Sequence, residues 1–375
     1  MMENEKEEFS NFLNKNSIVP NSQNKKRKII IGAIILLIFL VILTTIIVVL
    51  TSSKSDNSEN LEVIGEINCK YDIKKINEEI NILGDDFTKT SKFNIFVDGK
   101  KIEFLKKYKF EEEKIYDIKF ELFENINMDY MFKNIASLTS IEMISKKNAK
   151  ITSMISSFEN CANLNSFKIN DFDTNEVKSI SKLFYNTSLN ILNIENFNIN
   201  NVEDMSYMLS NSKLEQIDLS KLNLKNVKNM SHMFYKCSSL TSINLTSIGS
   251  QVRNMSYLFS DCSALTSLDL SYFSTSLVED MSSMFENCNS LLNITLSSFN
   301  TSSVNNMSYM FKSCNSLNGL NLTTFDTKNA VDMSGMFQDC ENLGFLLFDF
   351  DTSQVTSMSK MNEYQRIEGR DDPSR

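Results

Sequence analysis

Hydrophobic positions between Met128 and Met361 recur with a period of about 25 residues. Each repeat has a methionine, a large apolar anchor four residues later, usually a cysteine three further on, and then an L-x-x-L-x-L run. The anchors are Phe132, Phe158, Phe184, Leu209, Phe234, Phe259, Phe285, Phe311, Phe337 and Asn362. A fixed period of this length predicts a solenoid, in which each coil covers the apolar side of its neighbour.

Two elements are expected in each repeat. The spacing of Leu265, Leu268 and Leu270 predicts a strand whose leucines share one side, and stacked copies of it predict a parallel sheet. An acidic or amide side chain precedes the Met-Ser-x-Met-Phe step, as expected for the cap of a short helical turn. The capping residues are Asp204, Asn229, Asn254, Asp280, Asn306 and Asp332. The expected fold is an α/β repeat solenoid, a leucine-rich-repeat-like right-handed stack of strand plus short helical turn.

Residues 61–126 precede the first complete repeat and alternate apolar with polar positions. Asp98-Gly99 suits a tight hairpin turn, and residues 115–123 alternate in the same way. This region is expected to be a small β-rich cap on a solenoid of about ten repeats over 127–362. The alternative is a separate binding domain.

Ile29–Leu50 is an apolar run of 22 residues without a charge, long enough to cross a bilayer. Basic residues at 25–28 place its amino side in the cytoplasm. We expect a transmembrane signal-anchor at the cell membrane, single-pass type II, with the repeats extracellular. A cleaved signal peptide and a buried core helix are the alternatives. The flanking segments are predicted to be a cytoplasmic leader (1–28), a stalk (51–60) and a charged tail (363–375).

Composition narrows the function classes. The net charge of −9 is spread thinly along the chain, which argues against nucleic acid as a partner. The nine glycines form no phosphate-binding loop, and the carboxylates form no recurring close pair. His232 occupies a position where other repeats have tyrosine, so it is expected to be a surface residue. The chain is predicted not to be an enzyme and to need no cofactor.

The recurring phrase M-S-x-M-F-x-x-C-x-x-L-x-x-L-x-L, followed by F-[ND]-T-x-x-V, is seen at Met307–Leu322 and from Phe325 onward. It resembles the BspA-like leucine-rich-repeat surface proteins, in their 25-residue variety, over about two thirds of the chain. The resemblance implies a surface location and roles in adhesion or matrix binding. It implies no catalytic residues.

Six of the seven cysteines share one repeat column, and Cys69 lies apart from them. They could form a disulfide or metal ladder, but bridging needs Cα atoms about 4.4 to 6.8 Å apart and zinc sites need close pairs. Buried free thiols are the favoured interpretation. An odd total leaves at least one thiol without an intrachain partner. The column consists of Cys161, Cys237, Cys262, Cys288, Cys314 and Cys340.

Several asparagines stand in glycosylation sequons. Those in the capping column have side chains expected to be occupied by the fold. Asn186 and Asn300 are the preferred candidates for a glycan.

A ligand is expected on the strand face, where one side chain per coil points outward. This column is Asp218, Asn244, Asp269, Thr295, Asn321 and Leu347. It is small and polar, which suits a carbohydrate or a protein, although the same residues could merely solvate the sheet. Asp326 and Asp351 could bind calcium, but turns closed by their side chains are favoured.

Together these features predict a membrane-anchored extracellular repeat protein that binds macromolecules in adhesion or surface recognition. The alternative is a structural surface coat or spacer protein with no specific ligand. A hydrolase hidden in the cap is a third class, but residues 61–126 are too few to enclose a pocket.

Overall fold

The computed structural model describes residues 61–192, 197–245 and 248–361. Apart from Leu61, they belong to one compact unit, Glu62–Arg375. This unit is a β-solenoid, and its described residues contain no helix. The strands are β1 (Gly65–Asp72), β2 (Glu79–Asn81), β3 (Phe93–Val97), β4 (Lys100–Ile102), β5 (Lys107–Lys109), β6 (Ile115–Leu122), β7 (Ile126–Asn127), β8 (Leu138–Ser145), β9 (Ile151–Ser153), β10 (Ser166–Asn170), β11 (Gln216–Asp218), β12 (Ser242–Asn244), β13 (Ser267–Asp269), β14 (Asn293–Thr295), β15 (Gly319–Asn321) and β16 (Phe345–Leu347).

The cap is built on a six-stranded sheet in the order β10-β8-β1-β6-β3-β4. Strand β1 lies antiparallel to both β6 and β8, whereas β10 lies parallel to β8. The predicted hairpin is confirmed, because β3 and β4 pair around Asp98 and Gly99 with φ of 47° and 77°. Strands β8 and β10 come from the repeat region, so the cap and the first coils share one sheet.

In the described residues the strand predicted for the repeats is present as β8 and as β10 to β16. Strands β11 and β12, β13 and β14, and β15 and β16 pair in parallel, and each residue faces its equivalent one coil away. Leu268 in β13 is buried and Asp269 is exposed, as the alternation predicted. On this side of the coil the expected parallel strands are therefore confirmed.

The predicted helical turn is wrong. In the segment 307–314, alternate backbone N–H groups donate to carbonyl groups of the next coil rather than within the segment. These bonds run from Met307 to Asp332, Tyr309 to Ser334, Phe311 to Met336 and Ser313 to Gln338, at 2.8–2.9 Å. The N–H groups of Met310, Lys312 and Cys314 bond to the carbonyl three residues back, which makes a series of tight turns. The predicted α/β class is therefore wrong, and the described residues form an all-β solenoid.

Left-handed backbone explains why no helix forms. Tyr309 and Ser313 both have φ of 58°, and a residue of that conformation ends an α-helix. Two such positions recur in the other coils. The first column is Tyr130, Ser156, Lys182, Tyr207, His232, Tyr257, Ser283, Gly335 and Lys360; the second is Asn134, Asn160, Asn186, Asn211, Lys236, Asp261, Asn287 and Asp339.

The left-handed columns make a prediction about glycine. Ser313→Gly is expected to raise the free energy of unfolding by about 1 kcal/mol, since a non-glycine residue in this region costs about 1–2 kcal/mol. Ser316, three residues later, does not have a positive φ. There, Ser316→Gly should lower the free energy of unfolding by about 0.5–1 kcal/mol. Chemical denaturation of both variants measures the two changes, and changes of the same sign would contradict the assignment.

The capping column links the coils on the turn side. Asp204, Asn229 and Asn254 form successive parallel bridges, and the column continues to Ser357. The side chain of Asn229 accepts a hydrogen bond from the N–H of Ser231 at 3.0 Å, and the same bond recurs in neighbouring coils. These side chains close turns two residues ahead instead of capping helices.

The core is a set of continuous apolar columns. Phe132, Phe158 and Phe184 stack face to face with centroids 5.6 Å apart. Leu209 interrupts the column, and stacking resumes from Phe234 to Phe337 at 5.4–5.8 Å. From Met128 to Met336 the methionines beside it are fully buried. Each coil therefore completes its core only against its neighbours.

The membrane prediction needs correction. No helix long and apolar enough to cross a bilayer occurs in the ranges that the structure describes. This finding contradicts the predicted single-pass type II topology with extracellular repeats. Residues 29–50, on which that prediction rested, lie outside the described residues, as do the predicted leader, stalk and tail.

Candidate binding site on the strand face

The predicted ligand column lies at the surface, one residue per coil. All six of its members, listed above, are exposed. Pairing of the strands sets Asp218 opposite Asn244, Asp269 opposite Thr295, and Asn321 opposite Leu347. The structure therefore brings these side chains together in pairs along one face.

Three of the six residues in this column also close turns of the backbone. The carboxylate of Asp218 accepts a hydrogen bond from the N–H of Ser220 at 2.8 Å, and Asp269 does the same with Ser271 at 2.9 Å. Asn321 closes the equivalent turn at Thr323. Hydrogen bonds from Ser220 and Ser271 hold the pKa of each carboxyl below its ordinary value. Charge reversal at these positions would disturb the turn as well as any ligand.

A cleft opens at one end of this face. It has a volume of about 1030 Å³ and is lined by residues 190–192, 197–200, 215–218, 221–223 and 242–244. We call it the strand-face cleft. Its size is typical of ligand sites. Of the predicted column only Asp218 and Asn244 line it, whereas the other four members lie outside it.

Sequence reasoning missed most of the cleft lining. Glu215 and Gln216 are exposed at the start of β11, and Ile191 is 75 % exposed at the rim. The signal that could have identified the cleft is a departure from the repeat pattern in the sequence. One of these coils has Leu209 as its anchor in place of phenylalanine, and Thr187 and Ser212 stand in the cysteine column of the two coils.

The far end of the face is apolar. Phe345 is 57 % exposed, and Leu347 and Phe348 are exposed beside it. The strand face therefore changes from polar to apolar at this end.

All seven cysteines are free and buried, so the predicted buried thiols are confirmed. Each thiol in the column donates to the carbonyl of the anchor residue one coil back, as from Cys288 to Phe259 at 3.2 Å. Burial raises the pKa of Cys288 to about 12 and that of Cys237 to about 11. Among the described residues, no three metal-ligating side chains are grouped to hold an ion.

His232 lies in an aromatic stack on the turn side. Its ring is parallel to those of Tyr207 and Tyr257, with centroids 4.2 and 4.5 Å away. Burial between them lowers the pKa of His232 to about 4, against a small opposing effect of Asp280. The imidazole is therefore uncharged at neutral pH.

The two glycosylation candidates differ in their surroundings. The amide nitrogen of Asn186 donates to Asn160 at 3.0 Å, and its oxygen accepts from Asn211 at 2.8 Å, as part of an asparagine ladder. Asn300 is exposed, and its oxygen closes a turn at Ser302. Glycosylation at both positions stays a prediction.

Asp326 and Asp351, for which calcium binding was the alternative, close turns with their side chains. Their carboxylates accept from the N–H groups of Lys328 and Ser353, at 3.2 and 2.9 Å. These bonds confirm turns closed by the side chains.

A family model described as "Mycoplasma protein of unknown function, DUF285" matches residues 126–248 and 253–368. These two stretches make up more than half of the chain. The chain belongs to DUF285. The first DUF285 match begins at Ile126, where β7 begins, so the family unit corresponds to the repeated coils and excludes most of the cap. Comparison with curated proteins found no match.

Proposed function

We propose that this DUF285 solenoid is a binding protein without catalytic activity, and that the strand-face cleft takes a carbohydrate. The observation that carries the proposal is the cleft itself, a cavity of about 1030 Å³ on the face where one side chain per coil points outward. Solenoids commonly use such a face to bind extended partners.

The chemistry of the lining favours a sugar over an apolar ligand. Amide groups come from Asn190, Gln216 and Asn244, and carboxylates from Glu215 and Asp218. Amides donate and accept, and carboxylates accept, so together they match the mixed hydrogen-bonding pattern of hydroxyl groups. Leucine and isoleucine side chains between them supply apolar area.

The finer family relationship is also a proposal. The Met-Ser-x-Met-Phe phrase resembles the BspA-like proteins, for which adhesion and matrix binding are the expected roles. Coils stacked in register support a repeat protein of this kind. A role in recognition fits both the resemblance and the polar cleft.

The test is binding of the full-length protein to a carbohydrate array, followed by titration of the best ligand. Glu215→Arg changes an exposed side chain at the rim of the cleft, while the Glu215 carbonyl that bonds to Thr241 is retained. We expect affinity to fall at least about tenfold, which corresponds to about 1.4 kcal/mol. Glu341→Arg, an exposed carboxylate outside the cleft, is the matched control and should bind normally.

Three results would count against the proposal. One is equal affinity of Glu215→Arg and the unaltered protein. Another is binding to a peptide library but to no carbohydrate, which would assign the cleft to protein partners. The third is ordered self-assembly in the ultracentrifuge without any ligand, which would favour a coat or spacer.

A further inference from the structure

The cap carries a local charge opposite to that of the whole chain. Residues 100–109 (KKIEFLKKYK) contain five lysines and one glutamate, so their formal charge is 5 − 1 = +4, whereas the chain as a whole is at −9. This segment, which we call the basic tip, includes β4, the loop after it and β5. It lies outside the DUF285 match.

Two large apolar side chains are exposed within the basic tip. Phe104 is 38 % exposed and Leu105 is 45 % exposed, in the loop between β4 and β5. The Phe104 ring contacts the edge of Phe93 with centroids 5.9 Å apart, and the ammonium group of Lys89 lies 4.6 Å from the Phe104 centroid. The end of the loop is held in place because the backbone carbonyl of Lys106 accepts a hydrogen bond from the N–H of Ile82 at 2.8 Å, and the Lys106 ammonium group donates to the Asp85 carbonyl at 2.6 Å. The loop therefore presents Phe104 and Leu105 from a defined position.

The lysines around these side chains can contact a partner surface. Within the part of the chain that the structure describes, Lys100, Lys101, Lys107 and Lys109 are exposed and form no ion pair with a carboxylate. Most other lysines of the cap do, as Lys70 does with Asp117. In an extended chain each residue adds at most about 3.6 Å, so the Cα atoms of all four lysines lie within about 14 Å of that of Phe104 or Leu105.

Protection of a sheet edge accounts for only part of this arrangement. Strand β4 is the edge of the six-stranded sheet, and lysines on an edge prevent pairing with other chains. Lys107 and Lys109 lie on β5, which pairs with β2 in a separate sheet. Edge protection also gives no reason to expose a phenylalanine and a leucine next to each other.

We propose that the basic tip docks on an anionic lipid surface. Phe104 and Leu105 enter the interfacial region, and the surrounding lysines contact headgroup phosphates. An apolar centre ringed by cations matches a surface that is apolar below and anionic above. An acidic polypeptide without apolar side chains would satisfy the lysines but would leave the apolar pair in water. This is contact by exposed side chains, and it is independent of ligand binding at the strand-face cleft.

A single tryptophan can report on the contact. The chain has no tryptophan, so Phe104→Trp introduces the only indole. Full-length protein is titrated with vesicles made of two parts phosphatidylcholine to one part phosphatidylglycerol, and with vesicles of phosphatidylcholine alone. We expect a blue shift of the tryptophan emission with the anionic vesicles only. Tyr272→Trp, at an exposed position of the solenoid, is the control and should show no shift.

The lysines are tested in the Phe104→Trp background. Lys107→Gln with Lys109→Gln should weaken vesicle binding about 25-fold, since each lysine near an anionic membrane strengthens binding about fivefold. The tryptophan emission depends only on the surroundings of the indole. If the protein bound vesicles through another segment and the basic tip stayed in water, the emission would therefore not change.

Several outcomes would overturn the proposal. No shift with anionic vesicles would remove the lipid contact. An equal shift with phosphatidylcholine alone, or an unchanged affinity after the lysine substitutions, would remove the electrostatic part. A shift with polyglutamate in the absence of lipid would assign the tip to an acidic polypeptide.

Discussion

Replacing Phe285 by alanine is expected to lower the free energy of unfolding by about 3–5 kcal/mol. The Phe285 side chain is completely buried, and its ring is stacked between those of Phe259 and Phe311, at 5.8 and 5.4 Å. Removal of the ring leaves a cavity in the column that holds three consecutive coils together. Urea denaturation followed by circular dichroism measures the change.

Two variants serve as controls for this loss. Phe285→Leu should cost less than about 1.5 kcal/mol, because it keeps most of the volume. Leu209 already occupies the equivalent position in another coil and is fully buried there. Tyr272→Ala, at a side chain that is 66 % exposed, should change stability by less than about 0.5 kcal/mol. A cost below about 1 kcal/mol for Phe285→Ala would contradict the stacked core.

None of the seven thiols is expected to react with a water-soluble thiol reagent in the native protein. All are buried, and burial raises the pKa of Cys161 to about 12 and that of Cys340 to about 11. Since the thiolate is the nucleophile, little of the reactive form is present at neutral pH. Reaction should require unfolding and be at least about 1000-fold slower than that of an exposed thiol. Absorbance after addition of an aromatic disulfide reagent measures the rate and the count.

The count in denaturant completes this experiment. Seven thiols should react once the chain is unfolded without a reductant, since all seven are free. Ser220→Cys, at an exposed position, should add one rapidly reacting thiol to the native protein. Rapid native labelling of any original cysteine would contradict the buried column. Fewer than seven reacting thiols in denaturant would reveal a disulfide.

The repeat period was enough to predict the solenoid, its apolar columns and its parallel strands. Burial of every large side chain in register requires neighbouring coils of equal length, so the regular spacing of anchors such as Phe259 and Phe285 fixes the stacking. The hairpin at Asp98-Gly99 was also predictable, because few residue pairs adopt two successive positive φ values.

The helical turn was predicted wrongly because tight turns and α-helices share the same apolar spacing. Met307, Met310 and Phe311 stand at i, i+3 and i+4, which is the helical pattern. A series of turns that each span four residues buries the same positions. The distinguishing signal was the frequent asparagine in the second left-handed column, as at Asn134 and Asn160, since asparagine tolerates this conformation. The first left-handed column gave no such signal, because tyrosine is common there and does not indicate a left-handed backbone.

The candidate site was only partly predictable. Alternation along β11 identified Asp218 as an outward residue, because neighbouring strand residues point to opposite faces. The cleft depends instead on how coils of unlike sequence fit together near Ile191 and Glu215, and no periodic rule describes that fit. The basic tip was not predicted either, because the spacing of lysines in the sequence does not show which of them form ion pairs.

The stacking of the coils is tested most directly by distances between spin labels on a single column. Ser220, Ser271 and Thr323 are equivalent positions two coils apart from one another. Cysteine pairs at 220/271 and 220/323 would carry the labels, because the native thiols are buried. Parallel coils spaced about 4.8 Å apart predict separations near 10 and 19 Å, a difference of about 10 Å. Equal separations, or a difference well above 10 Å, would contradict a solenoid of parallel stacked coils.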